Sequence, residues 1–237
     1  MNEKPVCLCV GGVDPSGEAG LWVDGFAVRQ AGAEAWLVPA CLTAQSAFSA
    51  AGFLPVDRDF LSLQIQTLAE HGVFHAIKTG ALCSGFAPGL IADVVDEHEI
   101  PLVVDPVLKT SSGMRLNEPE QLTPLFSRAA LITPNVPEAE FFTGTRINGV
   151  EAMIDAAHEL LQTGASAVLV KGGHLAEPAD VLVLPDHHMV FKHRKKSGRR
   201  GTGCALASFV AGKLALGFDV VCGVEQGIAW LHRHYLV

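Results

Sequence analysis

Cationic charge is scarce in this chain. Its 237 residues carry 17 Lys and Arg against 25 Asp and Glu, a formal charge of -8 at pH 7. That balance argues against a nucleic-acid or an anionic-membrane partner, because both need cationic surface. Charge of either sign is only 18% of the chain, hydrophobic residues are 49%, and mean hydropathy is +0.31. Such a composition suits strands buried on both faces, as in parallel α/β sheets. Aromatics are few, at 7%. No stretch approaches the roughly 18 uninterrupted apolar residues of a membrane span. The apolar run after Met1–Pro5 ends at Gly11-Gly12, too short for a signal segment, so the cytoplasm is the expected compartment. Six cysteines (7, 9, 41, 83, 204 and 222) are scattered and give no disulfide framework, and Cys7-x-Cys9 lacks the second pair of a zinc site. Solenoid repeats and low-complexity segments are absent as well. One domain over residues 1–237 is expected.

What is present alternates between two periods. Val6–Val10 reads as a strand, and the glycine-rich loop Gly11–Gly20 leads to a helix over Leu21–Ala31, stopped by Gly32. The loop's glycine spacing is not that of a dinucleotide fingerprint. Further strands are expected at Ala35–Cys41, Ala76–Gly80, Leu102–Asp105, Leu131–Thr133 and Ala167–Lys171. Helices are expected at Asp57–His71, Phe86–Glu97, Glu138–Thr143, Val150–Gln162 and Val220–Tyr235, and Asp180–Leu184 with Met189–Lys192 reads as a hairpin. Alternation of this kind implies an α/β fold with a mostly parallel, doubly wound sheet in three layers.

The informative stretch is Gly201-Thr202-Gly203-Cys204. It opens an apolar helix ending at Leu216, with Leu206, Phe209, Val210 and Leu214 on one line and Ala207, Ala211 and Ala215 on another. A helix apolar all round is buried, so its N-terminus offers N–H donors and positive dipole to an anion inside the protein. Cys204 stands in the first turn, where the same dipole lowers a thiol pKa. The competing reading is a small-residue packing turn with an inert cysteine. Six of the 17 Lys and Arg fall between Lys192 and Arg200, either a solvated hinge loop or a cationic gate over a polyphosphate. Gln45 follows an apolar strand, where open α/β sheets bind ligands. Asp24 caps or pairs at the surface, or else meets a polar substrate. The remaining histidines, His187, His188, His193, His232 and His234, read as exposed turn and terminus positions.

Taken together, Gly12-Val13-Asp14-Pro15-Ser16-Gly17, Thr43-Ala44-Gln45, Val104-Asp105-Pro106-Val107, the run from Thr133 to Glu140, the run from Val170 to His174, and Gly201–Cys204 resemble hydroxymethylpyrimidine and phosphomethylpyrimidine kinases of the ribokinase-like superfamily. The resemblance spans nearly the whole chain in order. It implies a ribokinase-like three-layer α/β/α sandwich and transfer of the ATP γ-phosphoryl group to 4-amino-5-hydroxymethyl-2-methylpyrimidine, then to its monophosphate in bifunctional members, in thiamine biosynthesis. ATP and Mg²⁺ are the implied cofactors, and a homodimer the implied assembly.

By the same resemblance Gly201, Thr202, Gly203 and Cys204 form the anion hole, with Cys204 either a thiolate base or a thiol that shapes the hole. Asn135 and Glu138 match a metal-organising element, though Glu138 could equally be a helix-start charge. Asp105 assists at the metal or ends its strand. Lys171 and Arg200 are expected near nucleotide phosphate, although Lys171 could instead snorkel. Asp24, Gln45, Gly12 and Ala19 are expected at the pyrimidine, with Val107 and Leu82 as walls of its apolar slot.

Four features depart from the family pattern. Glu18 replaces a glycine near the substrate and would repel a phosphorylated one. Arg199-Arg200 replaces a Thr-His-like pair, Ser111 stands where lysine is usual with Lys109 expected to leave on another side, and the chain ends soon after its last helix. Pyridoxal kinase and a non-catalytic pyrimidine- or nucleotide-binding regulator are the alternatives. A cysteine hydrolase would need His174 as its base.

Overall fold

A computed structural model of the chain describes residues 4–173, 175–193 and 200–234. Among them nine strands form one sheet: β1 (Val6–Val13), β2 (Glu34–Gln45), β3 (Ala50–Pro55), β4 (Phe74–Thr79), β5 (Leu102–Val104), β6 (Ala129–Ile132), β7 (Val168–Gly172), β8 (Ala179–Val183) and β9 (His188–Lys192). Their order across the sheet is β3-β2-β1-β4-β5-β6-β7-β8-β9. The six strands from β2 to β7 in that order pair in parallel; β3 at one edge and the β8–β9 hairpin at the other run antiparallel.

The helices are α1 (Leu21–Ala31), α2 (Arg58–His71), α3 (Ala87–His98), α4 (Pro119–Phe126), α5 (Val136–Thr143), α6 (Val150–Leu161), α7 (Thr202–Ala215) and α8 (Val220–His234). They divide between the two faces. One core joins α1, α7 and α8 to strand residues such as Cys7, Cys9, Val103 and Leu169. The other joins α2 through α6 to the alternate strand residues Leu8, Val10, Val104 and Val170. Period-2 alternation sends successive side chains of one strand into different cores, and both cores are apolar, which is why the strands read as unbroken apolar runs.

The chain leaves β1 for β2 on one side and returns through α2 to β4 on the other. Strand order therefore reverses between β1 and β4, and a crevice opens beyond their carboxyl ends.

Two elements escape the sequence reading. Strand β3 contains Gly52 and Pro55 and is mostly exposed, so it carries no alternation. It pairs back onto β2, which runs on through Leu42–Gln45 instead of stopping at Cys41. Helix α4 has Pro124 inside it and only eight residues; Glu118 and Gln121 form its capping box. Tyr235, expected to close the last helix, lies outside the described residues.

Helix α7 sits deepest, with ten of its fourteen residues buried. Gly212 makes that depth possible, since a Cβ there would stand 2.8 Å from Ala31 Cβ and 3.2 Å from the Val28 backbone of α1. Gly212→Val is expected to lower stability by about 1–3 kcal/mol, the usual range for overpacking. Urea unfolding should show a lower midpoint at unchanged slope; a wild-type midpoint would mean α1 and α7 are not held at this spacing.

Candidate active site

A cavity of about 760 Å³ occupies the crevice at the carboxyl ends of the strands. Gly12, Ala19, Asp24, Gln45, Asp105, Val107, Asn135, Glu138, Lys171, Arg200 and Gly201 through Cys204 all line it. Of the positions expected at the site, Leu82 alone is elsewhere: it is fully buried in the core beneath α3 and α4. Its neighbour Ala81, with Val107 and Leu116, forms the apolar wall, backed by the thiols of Cys41 and Cys83. The turn after β4 swings residue 81 toward the cavity and residue 82 into the core.

The start of α7 is the cradle. Its N-cap residue, Gly201, has no side chain with which to cap it. The first-turn N–H groups of a helix have no intrahelical acceptor, so those of α7 aim beyond its buried end. Gly201 holds φ 77, and a Cβ on it would meet the Glu18 carbonyl oxygen at 2.5 Å. A Cβ on Gly203 would stand 2.9 Å from Lys171 Nζ. The small residues thus let a lysine ammonium and a helix N-terminus share one anion-sized space.

Two buried ion pairs lie beneath it. Lys78 on β4, fully buried, donates to Asp24 Oδ1 at 2.8 Å, and Ser208 Oγ donates to the same oxygen at 2.7 Å. Burial pushes the Lys78 ammonium toward neutrality, but Asp24, Cys204 and Asp105 outweigh it and hold its pKa above the ordinary value. Burial lifts the Asp24 carboxyl above its usual range despite Lys78 and Ser208. Asp24 is therefore not a surface cap. Its Oδ2 is buried with no hydrogen-bond partner among the described residues, and Asp24 borders the cavity.

Lys171 Nζ donates to Asp105 Oδ1 at 2.9 Å, and Thr133 Oγ1 reaches the same oxygen at 3.3 Å. Burial works to raise Asp105, yet Lys171 and Lys78 keep it below the ordinary carboxylate value. The Cys204 thiol faces this carboxylate. Burial first, and Asp105's charge second, push the thiol well above its normal pKa against the pull of the two lysines. The dipole expectation of a depressed thiol is thus reversed in the ligand-free protein: desolvation beside a carboxylate outweighs a helix end.

Asn135 and Glu138 cap α5 reciprocally, each side chain accepting from the other's backbone N–H at 2.9 Å. Glu138 is buried; desolvation pushes its carboxyl up to about 7, with Asp105 adding to the rise and Lys171 opposing it. Among the described residues no three His, Cys, Asp or Glu stand close enough to cage a metal. Asp105 and Glu138 supply two hard oxygen donors beside the cradle, which fits Mg²⁺, an ion that keeps waters and takes substrate phosphate as further ligand.

Arg200 stands on the first-loop side of the cavity. Its guanidinium turns to the first loop, 3.6 Å from Asp14 and 3.5 Å from Glu18, and donates to Gln45 Oε1 at 3.2 Å. The position before α7 faces the substrate loop because Gly201 turns the chain there. Lys109 and Ser111 both border the cavity, so Lys109 does not leave on another side. Arg199 and His174 lie outside the described residues. His193 and His232 also depart from expectation. They are in ring contact at 4.5 Å on the cavity wall, hydrogen-bonded at 2.8 Å, with His193 Nε2 2.8 Å from Asp180 Oδ2.

A sequence profile for phosphomethylpyrimidine kinase matches residues 14–235. The chain belongs to the phosphomethylpyrimidine kinase family. A hydroxymethylpyrimidine/phosphomethylpyrimidine kinase of Rhizobium meliloti is 32% identical over 96% of this chain and 89% of its own. A thiamine biosynthesis bifunctional protein of Geobacter sulfurreducens is 35% identical over 89% of this chain, which spans 45% of that longer protein. The solved phosphomethylpyrimidine kinase of Clostridium difficile superposes with a TM-score of 0.83 at 31% identity, covering 97% of this chain and 98% of that one. Pyridoxal kinase of Bacillus subtilis shares the ribokinase-like fold, with a TM-score of 0.88 at 24% identity over 97% of this chain and 91% of its own.

Lys78 lines the cavity and pairs with Asp24, and the sequence reading missed it. The available signal was a lone cation within a strand already expected to be covered on both faces.

The raised Glu138 carboxyl makes a pH prediction. Its folded pKa, about 7, exceeds the ordinary 4.5. Between those values the folded state holds a proton that the unfolded state has lost, so stability is full below the lower value and falls as pH rises through the upper one. Wild type minus Glu138→Gln should lose up to about 3 kcal/mol of stability across this window and stay level above it. Parallel urea-stability profiles for the two proteins would contradict the raised carboxyl.

Proposed function

We propose that this chain transfers the ATP γ-phosphoryl group to the hydroxymethyl of 4-amino-5-hydroxymethyl-2-methylpyrimidine and then phosphorylates the resulting monophosphate. The observation that carries the reading is the glycine-started helix α7, whose first turn opens beside Lys171 and Asp105 in a cavity at the strand ends. Phosphoryl transfer asks mainly for positioning and charge stabilisation. The N–H groups of Gly203 and Cys204, with Lys171, bind the transferring phosphate. Glu138 and Asp105 would hold Mg²⁺, which when bound neutralises charge on the phosphate oxygens. Asp24 Oδ2 accepts from the substrate's exocyclic amino group, and Val107, Ala81 and Leu116 enclose the ring. Cys204 acts as a protonated thiol that shapes the hole, in keeping with its raised pKa.

The second transfer is favoured by the company of the departures. Glu18 faces Arg200 rather than standing as a lone acid, and Lys109 borders the cavity where Ser111 replaces a lysine. The pyridoxal alternative is weaker, because the likeness to the pyridoxal kinase is one of fold alone while the family profile and the relatives above 30% identity are pyrimidine kinases.

Mass spectrometry of products after incubation with Mg-ATP and the pyrimidine should show monophosphate followed by diphosphate, with little product from pyridoxal. Cys204→Ala should retain product formation with kcat lowered by less than about 100-fold, whereas loss of a general base costs 10²–10⁴. Pyridoxal phosphate as the main product, or no phosphorylated product at all, would overturn the substrate assignment.

The same reading includes a cytoplasmic homodimer. Among the described residues no helix is long and apolar enough to cross a membrane. The edge strand β3 leaves Leu54 66% exposed, and Phe48 beside it is 94% exposed, an apolar edge of the kind that a second copy covers. Sedimentation equilibrium should give twice the chain mass for wild type and one chain mass for Phe48→Ser/Leu54→Asp; a wild-type monomer at assay concentration would refute the dimer.

A further inference from the structure

Arg200 joins three segments that are distant in sequence. Asp14 is fully buried, and its Oδ1 accepts from Ser16 N at 2.9 Å and Ser16 Oγ at 2.8 Å. The other carboxylate oxygen of Asp14 lies on the Arg200 side, at 3.6 Å, with Glu18 Oε2 at 3.5 Å. The guanidinium is mostly buried, 15% exposed, so these contacts fix where it stands. Its remaining fork nitrogen meets Gln45 Oε1 at 3.2 Å.

Chemistry fixes the rest. A guanidinium donates and never accepts, so the amide oxygen of Gln45 must be the atom turned toward it. The two amide N–H donors then turn the other way, and Gln45 lines the cavity. A glutamine not held at its oxygen can exchange the two ends and serve as acceptor or donor. Here the exchange would bring an N–H donor against a cation.

We propose that Arg200 is a specificity-determining positioning residue: by holding the Gln45 oxygen it commits this glutamine to donating, so that the pocket selects heterocycles presenting an unprotonated ring nitrogen. The assignment rests on the pyrimidine-kinase reading above. It divides the polar edge of the substrate between two residues, with Gln45 donating to a ring nitrogen and Asp24 Oδ2 accepting from the amino group. Glu18 acquires a role as well. It is one of two carboxylates that hold the guanidinium in place, which accounts for an acid and an arginine departing from the family pattern together.

The test compares binding of 4-amino-5-hydroxymethyl-2-methylpyrimidine with that of its carbocyclic counterpart, 2-amino-4-methylbenzyl alcohol, by isothermal titration of the nucleotide-free enzyme. Wild type should prefer the pyrimidine by about tenfold or more, since the counterpart leaves the Gln45 donors unpaired. Arg200→Met should reduce that preference to less than about threefold, as expected when a fixed hydrogen-bond donor becomes free to turn. In kinetics the pyrimidine KM should rise with kcat changed far less, and Arg200→Lys should recover part of the preference. A second variant covers the case in which Arg200→Met does not fold. Gln45→Glu keeps a partner for Arg200 but has no donor, and it should lose the preference too.

Three results would overturn the inference. A folded Arg200→Met or Gln45→Glu enzyme with the wild-type preference removes Arg200 from specificity and leaves the kinase reading standing. A wild type that binds both compounds equally does the same. A wild type that binds neither, and phosphorylates neither, overturns the substrate reading itself and this inference with it.

Discussion

A fully buried ion pair, Lys78 with Asp24, is the constraint on which the site depends. The Asp24 carboxylate lies on α1, the ammonium on β4, and the hydroxyl of Ser208 on α7 completes the contact. Three elements that meet at the strand-order reversal are thus joined through one carboxylate oxygen. Removing ions from water costs several kcal/mol each, and breaking such a pair from one side typically costs about 3–5 kcal/mol. An apolar substitute would pack as well with less penalty, so stability alone does not account for a cation here. Its electrostatic reach does: Lys78 acts on Asp105 and on Cys204 from below the cradle. The positive charge that an arriving phosphate meets is therefore built into the floor before any ligand binds.

How much of this was legible in the sequence follows from what periodicity can carry. Apolar runs ending in Gly, Asp or Thr marked the parallel strands and the side of the sheet that holds the cavity, because strands covered on both faces have no polar alternation to blur their ends. β3 was not legible: an exposed edge segment with Gly52 and Pro55 owes its conformation to β2 beside it. α4 was hidden by Pro124 and by its eight-residue length. At the site, residue types with a chemical reason to gather were found, and Lys78 was not, since nothing near it in sequence marks the Asp24 carboxylate that it pairs with. Leu82 failed for a related reason. Sequence names the turn after β4 but not which of two neighbours, Ala81 or Leu82, the turn aims at the cavity.

The departures from the family pattern are better understood as contacts than as isolated residues. Glu18 alone is an acid beside a substrate; Glu18 opposite Arg200 is one of two carboxylates that face its guanidinium across the loop. His193 and His232, which look like exposed surface histidines in sequence, are hydrogen-bonded to each other at the cavity wall, and Asp180 Oδ2 lies 2.8 Å from His193 Nε2. These contacts link β8, the end of β9 and α8. Both clusters join parts of the chain that no local pattern connects, the first loop to the residue before α7 and the sheet hairpin to the last helix.

The ligand-free cavity holds three of its cations already matched. Lys78 faces Asp24, Lys171 faces Asp105, and Arg200 faces Asp14 and Glu18. An empty site with unpaired buried charges would be costly to fold, and one with no charges would have nothing to offer a phosphate. The pairs differ in how firmly they are closed. Lys78 is fully buried and Arg200 is held by two carboxylates, whereas Lys171 donates, among the described residues, to Asp105 alone and its ammonium borders the space that Gly203 leaves open. Lys171 is thus the cation able to change partner. Turning from Asp105 to a phosphate would leave that buried carboxylate with only the more distant charge of Lys78, which favours another positive charge arriving there. On the proposed kinase reading, the Lys171–Asp105 pair would couple anion and cation binding, since a phosphate that draws Lys171 away would favour a cation at Asp105.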